Sequence, residues 1–212
     1  AEQKYPKGLP DAFIIGKKFI NKQPVALILG DNFFHGQGLI ELLNNVSENF
    51  DSGAHIFSYN VKNPEAYGVI EDLRNGFKIV EKPKRTKSKK AITGLYYFDD
   101  DVCKLSTKLK ISKRGELEII DLLQFYLKKK KLSITELGRG SAWLDTGTSN
   151  DILKASNYVE IIQERQNQKI ACLEEIAFKK RWINRSILKY RIKYFGKNEY
   201  SNYLNKLLNE KI

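Results

Sequence analysis

An uninterrupted apolar run, Val25 to Leu29, is followed directly by Gly30 and Asp31. A continuous run of this length that ends at a glycine is typical of a strand buried on both faces. Ligands of open α/β sheets bind beyond the carboxyl ends of the strands, so Asp31 stands where a ligand-facing carboxylate would stand. The pattern leaves a second interpretation equally open, in which Asp31 only helps to form a turn with its neighbours.

Helical and strand-like hydrophobic periods alternate along the first two thirds of the chain, which is the rhythm of an α/β fold. Two apolar runs around Arg74-Asn75-Gly76 predict a hairpin within 67–83. We therefore expect an α/β core with a mixed, mainly parallel sheet. The pattern predicts helices over 9–19, 39–46, 100–109 and 116–127, strands over 53–59, 91–98 and 132–137, and loops over 33–38 and 138–148.

The pattern becomes purely helical near Thr148. This change predicts two parts, an α/β core over 1–148 and a C-terminal helical region over 149–212 that packs on the core. The predicted helices of the second part cover 151–165, 174–181, 187–195 and 200–208.

The composition of the 212-residue chain is that of a globular protein, with 42% hydrophobic residues. No apolar run approaches the length of a membrane span, and no secretory signal pattern opens the sequence. Cys103 and Cys172 lie among apolar residues without metal-ligand spacing. We therefore expect both to be reduced core thiols in a cytoplasmic protein.

The formal net charge of +12 raises the possibility of a nucleic-acid partner. Basic residues cluster at 82–90, 128–131 and 179–197, and aromatic residues are interleaved with them only in the last cluster. A nucleic-acid binder would show steeply salt-dependent binding. A general excess of solvated lysines explains the charge better, so we expect neither nucleic-acid nor membrane binding.

Two aspartates, Asp31 in LGDN and Asp145 in WLDTGT, each end an apolar or aromatic segment close to a glycine. Mg²⁺ usually takes one or two carboxylates from a protein and its other ligands from phosphate and water. The cations Lys82 and Arg114 lie in loop-like settings. The four together would suit phosphoryl or nucleotidyl transfer, which depends on positioning and on charge neutralisation. Their spacing alone leaves open that they are ordinary surface residues.

Eight short motifs occur in order along nearly the whole chain. They are the loop from Gln3 to Phe13, LGDN at 29–32, YGV at 67–69, EKP at 81–83, TGLYYFD at 93–99, RGELEIID at 114–121, GRGSAWLDTGT at 138–148 and ACLEEIAF at 171–178. Each is weak alone, but eight collinear motifs at sensible spacing are very specific. The chain resembles the sugar-1-phosphate nucleotidyltransferase family, and within it the glucose-1-phosphate thymidylyltransferases.

This resemblance implies a Rossmann-like nucleotidyltransferase core and the reaction of dTTP with glucose 1-phosphate. The products are dTDP-glucose and pyrophosphate, in nucleotide-sugar and polysaccharide biosynthesis. The implied catalytic residues are Asp31 and Asp145, which would hold Mg²⁺, and Lys82 and Arg114, which would grip the sugar phosphate. The implied nucleotide-binding residues are Gln3, Pro6, Gly8 and Asp31. The implied sugar-binding residues are Tyr67, Gly68, Glu81, Lys82, Thr93, Gly94 and Trp143.

The resemblance also implies an assembly and a second site. Members of the family form homotetramers in full-length form, and a second nucleotide site can give feedback by dTDP-sugars. Arg139, Glu175 and Ile176 fall in the motifs linked to that site.

The sequence departs from the family in its first segment. The family's Gly-rich G-G-x-G-T-R loop, which wraps the triphosphate, does not occur in this sequence. We therefore expect this chain to be the C-terminal majority of the enzyme and to be inactive by itself. Within the matched regions, the residues usual in the family are replaced by Lys4-Tyr5, Pro10-Asp11, His35 and Gln37. These replacements affect the details of base contact.

Two alternatives to a thymidylyltransferase stay open. The missing loop favours a non-catalytic nucleotide-sugar-binding or regulatory homologue, whereas the retained aspartates and cations argue for an enzyme. A uridylyltransferase of the same family is also possible, because the 5-methyl group of thymine is a small discriminator, worth about 1–3 kcal/mol in a pocket.

Overall fold

The larger sheet is built around one long strand, β6, in the computed structural model, which describes residues 1–209. One edge of β6 pairs with β3, and the other edge pairs with β1 and with the end of the β4–β5 hairpin. β7 continues the sheet beyond β3. The strands are β1 (Val25–Ile28), β2 (Asn32–Gly36), β3 (Ala54–Asn60), β4 (Gly68–Leu73), β5 (Gly76–Glu81), β6 (Lys90–Phe98), β7 (Leu132–Glu136) and β8 (Ser141–Asp145).

The α/β class and the mixed sheet are confirmed, but the expectation of a mainly parallel sheet is wrong for this chain. Among the five strand pairings of the larger sheet within residues 1–209, only that of β3 with β7 is parallel. β6 runs against all three of its neighbours, and a hairpin is antiparallel by construction. The predicted hairpin forms with Arg74 and Asn75 in its two-residue turn.

The burial expected for the apolar run at 25–29 is also wrong. β1 has β6 as its strand partner, and its side chains alternate between half-buried and exposed. Val25 and Leu27 pack on the core, whereas Ile28 is 58% exposed. A strand covered on one face buries alternate residues, whatever its unbroken apolar sequence indicates.

A second, two-stranded sheet forms where two loops were predicted. β2 and β8 pair antiparallel with Asn32 opposite Asp145 and Gly36 opposite Ser141. The glycine-rich composition of both segments favoured a loop in the sequence. The pairing joins parts of the chain more than a hundred residues apart, and a local pattern does not report such a partner.

Helices cover the larger sheet and make up the end of the chain. They are α1 (Asp11–Ile15), α2 (Lys17–Ile20), α3 (Leu39–Glu48), α4 (Val102–Ser106), α5 (Ile119–Lys128), α6 (Ser149–Gln166), α7 (Leu173–Lys179), α8 (Arg185–Phe195) and α9 (Glu199–Asn209). A 3-10 turn spans Pro64–Ala66. No helix in the described part of the chain is both long and apolar enough to cross a membrane.

The chain divides into two compact units, Ala1–Thr146 and Gly147–Ile212. The first contains both sheets, and its main core includes Phe13, Phe98 and Tyr126. The second is helical, with a core around Leu188 and Leu204.

A buried polar network stiffens the helical unit. The Glu174 carboxylate accepts two hydrogen bonds from Arg191, at 3.1 and 3.0 Å, and one from the Tyr200 hydroxyl. Both cysteines are free and buried, as expected, and the Cys172 thiol contacts the Tyr200 hydroxyl.

Candidate active site

A cavity of about 270 Å³ opens at the edge of the first unit, where β2, β5, β6, β8 and the residues before α5 meet. Carboxylates, cations, two glycines and three aromatic side chains line it. Of the site residues that the sequence indicated, it brings together Asp31, Tyr67, Gly68, Glu81, Lys82, Gly94, Arg114, Trp143 and Asp145.

The two aspartates reach this cavity because β2 and β8 pair. The register places Asn32 opposite Asp145, so Asp31 and Asp145 lie at the same end of the small sheet. Thr146 extends the contact, since its backbone N–H and its hydroxyl both donate to the Asp31 carbonyl oxygen at 2.8 Å. The small sheet therefore brings both aspartates into the lining of one cavity.

Asn32 is the polar residue that connects the strands of the site, although the sequence pattern does not indicate a role for it. Its Oδ1 accepts hydrogen bonds from the Trp143 indole at 2.6 Å and from the Gly94 backbone N–H at 3.0 Å. Two donors on one atom fix that atom as the amide oxygen. Its Nδ2 then donates to Asp31 Oδ1 at 2.8 Å. Asn32 thus links β6, β8 and the first aspartate.

Gly94 is required by this close approach. A Cβ atom added to Gly94 would lie 2.5 Å from Asn32 Oδ1, which is far inside van der Waals contact. A glycine inside a strand often marks such an approach of another group to the backbone. The glycine therefore makes room for the asparagine.

The same cavity lining carries a guanidinium shared by two carboxylates. Arg114 Nη1 donates to Glu81 Oε1 at 3.2 Å and forms an ion pair with Glu118 Oε2 at 3.6 Å. Ser112 Oγ donates to the other oxygen of Glu118 at 2.7 Å. Burial raises the pKa of Glu81, and the charge of Glu118 raises it further, whereas Lys82 and Arg114 act in the opposite direction. Glu118 is a second residue of this region that sequence reasoning missed, although it lies within the RGELEIID motif.

Lys82 has a left-handed backbone conformation, with φ +38°, which is uncommon for a residue with a side chain. Its N–H donates to the Tyr67 carbonyl at 3.1 Å, so the hairpin ladder continues one residue past β5. The side chain of Lys82 is exposed at the cavity. Tyr67 packs on buried Trp143 with ring centroids 5.0 Å apart, which makes an aromatic wall beside the cation.

Thr93 lies away from the cavity. Ile92, Gly94 and Tyr96 line the cavity on one face of β6, and alternation places Thr93 on the other face. Its hydroxyl is fully buried and has no hydrogen-bond partner among residues 1–209. The sugar contact expected for Thr93 has no support in this geometry.

The expected nucleotide-binding loop lies next to the cavity-forming residues. Leu9 lines the cavity, and the Lys7 carbonyl accepts the Leu117 N–H at 2.8 Å. Gly8 has φ +97°, and an added Cβ would lie 2.2 Å from the Leu117 carbonyl oxygen, so local packing alone requires this glycine. Pro6 is exposed. Gln3 donates to Asp11 Oδ2 at 2.8 Å.

The residues expected to form a regulatory site belong to different units, Arg139 to the first and Glu175 and Ile176 to the second. Within its own unit, Glu175 is buried and accepts hydrogen bonds from Lys179 and from the Tyr203 hydroxyl. These contacts give Glu175 a structural role in the helical unit, and a nucleotide site there stays a prediction.

Comparison with known proteins gives the class. A family model described as nucleotidyl transferase matches residues 1–161. The chain belongs to this nucleotidyl transferase family, and the expectation drawn from the eight motifs is confirmed.

Relatives define the position within the family. The glucose-1-phosphate thymidylyltransferase of Neisseria meningitidis serogroup A is 46% identical over 210 residues, which are 98% of this chain and 73% of that protein. The enzyme of the same name from Xanthomonas campestris pv. campestris strain B100 is 44% identical over 98% of this chain and 70% of that protein.

A solved structure assigned as a glucose-1-phosphate thymidylyltransferase from Bacillus anthracis shares the fold, with a TM-score of 0.63 and 32% identity. The match covers 74% of this chain and 62% of that chain. The present chain thus spans about seven tenths of the length of these curated relatives and 62% of the length of the solved chain.

The role of Asn32 is testable with one substitution. Asn32→Ala removes the acceptor of the Trp143 indole N–H, so its ¹H–¹⁵N resonance should shift and its hydrogen exchange should accelerate. Trp182, which is 73% exposed, is an internal control whose resonance should stay in place. An unchanged Trp143 resonance in the folded variant would show that the bond to Asn32 does not form in solution.

The influence of Glu118 on Glu81 is also measurable. Glu118→Gln removes a like charge, so the Glu81 carboxylate should become easier to form and its pKa should fall. Carboxyl ¹³C NMR titration measures this shift directly. Glu116→Gln is the matched control, because Glu116 lines the same cavity but does not contribute to the raised pKa of Glu81. Equal shifts in the two variants would contradict the assignment.

Proposed function

We propose that the protein is a thymidylyltransferase that joins dTTP and glucose 1-phosphate to give dTDP-glucose and pyrophosphate. The observation that carries this proposal is the cavity itself. The paired sheet of β2 and β8 brings Asp31 and Asp145 into the lining of a cavity that Lys82 and Arg114 also line. The names of the relatives supply the substrates, since enzymes so named are 41–46% identical to this chain.

The donor set fits a divalent cation of the Mg²⁺ type. Within residues 1–209, no three His, Cys, Asp or Glu side chains are grouped so as to hold a metal by themselves. Two carboxylates are nevertheless enough for Mg²⁺, which keeps several waters and takes its remaining ligands from substrate phosphates. Asp31 and Asp145 would hold the ion, and Asn32 would orient Asp31 through its amide N–H. When bound, Mg²⁺ would neutralise phosphate charge at the α-phosphate.

The cations of the cavity then bind the sugar phosphate. Lys82 and Arg114 bind the phosphate of glucose 1-phosphate, and one of its oxygens attacks the α-phosphorus of dTTP. A new P–O bond forms as the bond to pyrophosphate breaks. Since such transfer depends on positioning and on charge, a lysine and an arginine held by the fold supply what the reaction needs. The ion pair with Glu81 orients Arg114 before the substrate arrives.

The sugar lies against the aromatic wall. Trp143 and Tyr67, whose rings are tilted by 59° to each other, provide an apolar surface for the pyranose ring, and Gly68 leaves room for its hydroxyl groups. Glu81 faces the same space and accepts hydrogen bonds from those hydroxyls, which its ionised form does best. A sugar hydroxyl that donates to Glu81 favours its ionised form and so offsets the effect of burial on its pKa. We also place the protein in the cytoplasm and expect a homo-oligomer, as the resemblance implies.

If Asp31 and Asp145 hold the metal, replacing either one should weaken the effect of Mg²⁺ on ligand binding. Titration calorimetry should show that the chain binds dTDP-glucose more tightly with Mg²⁺ than with a chelator. Asp31→Asn and Asp145→Asn should each lower the ratio of the two dissociation constants, with chelator and with Mg²⁺, by about tenfold or more. The reason is that a lost carboxylate weakens the metal site. Asp51→Asn, an exposed aspartate outside the cavity lining, is the control and should retain the full Mg²⁺ effect. Retention of that effect in both cavity variants would exclude these two residues as the metal ligands.

A further inference from the structure

Asp11 is a buried carboxylate at the start of α1, only 7% exposed. A buried carboxylate is costly unless it is hydrogen-bonded, and its side-chain partner is the Gln3 amide, at 2.8 Å. In the sequence, Asp11 is one of the departures from the family, and no motif assigns it a role. The burial of this carboxylate against the Gln3 amide therefore needs a physical explanation.

The contact fixes which way the Gln3 amide faces. An ionised carboxylate only accepts hydrogen bonds, so the NH₂ end of Gln3 must point to Asp11. The carbonyl oxygen of Gln3 then points away, and it has no hydrogen-bond partner within residues 1–209. An amide held in this way presents one acceptor and one remaining N–H in a fixed order, and a turn of 180° about its last torsion would break the bond to Asp11.

The loop that carries Gln3 is held beside the cavity. Leu9 lines the cavity, and the Lys7 carbonyl accepts the Leu117 N–H just before α5. Arg114 and Ile119, on either side of Leu117, also line the cavity. Gln3 is bonded to Asp11, two residues along the chain from Leu9, so its amide lies near the segment that lines the cavity.

Pyrimidine bases differ in the order of donors and acceptors along their edge. Uracil and thymine present N3–H as a donor beside the O4 acceptor, whereas cytosine presents N3 as an acceptor beside the N4 amino donor. A glutamine amide can pair with either edge, but only in opposite orientations. A glutamine that is free to turn would therefore read both kinds of base.

We propose that Asp11 is a specificity-determining positioning residue, which locks Gln3 in the orientation that pairs with uracil or thymine and so excludes cytosine nucleotides. The inference rests on the proposed function, since it requires a nucleotide beside the cavity. Asp11 does not touch the base. It acts by removing the alternative amide orientation, because a site built for one hydrogen-bonding edge leaves groups unpaired when the other edge enters.

The test uses two ligands that differ only at this edge. Titration calorimetry of the 212-residue chain with Mg²⁺ gives dissociation constants for UDP-glucose and CDP-glucose, and we expect a strong preference for UDP-glucose. Asp11→Asn lets either orientation of Gln3 be hydrogen-bonded, so the preference should fall by about tenfold or more, mainly through tighter binding of CDP-glucose. The ratio between dTDP-glucose and UDP-glucose should stay the same, because both present the same edge.

Further variants separate orientation from folding. Asp11→Ser provides a second route if Asp11→Asn does not fold by circular dichroism, and it should change the ratio in the same direction. Gln3→Ala should abolish most of the discrimination, and adding Asp11→Asn to it should change nothing more. A loss of fold alone would weaken all ligands together and leave their ratio unchanged.

The outcomes distinguish the two proposals. If the wild-type chain binds none of the three nucleotide sugars, the proposed function fails, and this inference fails with it. If the chain binds UDP-glucose and CDP-glucose equally, or if both Asp11 variants keep the wild-type ratio, the function stands and the role of Asp11 is overturned.

Discussion

The pairing of β2 with β8 is the constraint on which the site depends. It brings together two segments more than a hundred residues apart, each of which ends at an aspartate. Asn32 reinforces the pairing at the point where it matters, because one amide bonds to the Trp143 indole, the Gly94 backbone and the Asp31 carboxylate. The metal site that we propose has only two carboxylates and would need such support, since partners outside the ligand shell orient the ligands.

The cations of the cavity come from other elements of the first unit. The hairpin ends at Glu81 and Lys82, and the segment before α5 supplies Arg114. The guanidinium lies between two carboxylates, so it is oriented without being neutralised by a single partner. The cost is a carboxylate, Glu81, whose pKa is raised by burial and by its neighbour. Perturbed groups of this kind are common in functional sites, where charges are placed for a ligand.

Much of this architecture could be predicted from the sequence, and the failures have physical causes. The hairpin and the long helices were found because turn chemistry and helical periodicity are local. The β2–β8 sheet was missed because its stability comes from a distant partner. β1 was expected to be buried on both faces and is covered on only one, because an apolar run does not reveal how many faces of a strand are covered. Residue by residue, the motifs located nine cavity residues, but they also included Thr93, which the alternation of β6 places on the other face. Asn32 and Glu118 lay inside quoted motifs and were missed because their roles come from contacts with other side chains.

The central claim is that the cavity between Asp31, Asp145, Lys82 and Arg114 binds a nucleotide sugar with a divalent cation. The most direct test is a crystal structure of the chain with dTDP-glucose and Mn²⁺, in which anomalous scattering locates the metal. We predict one anomalous peak between the carboxylates of Asp31 and Asp145, with the glucose against Trp143. A metal peak away from both aspartates, or a nucleotide sugar bound outside this cavity, would contradict the account.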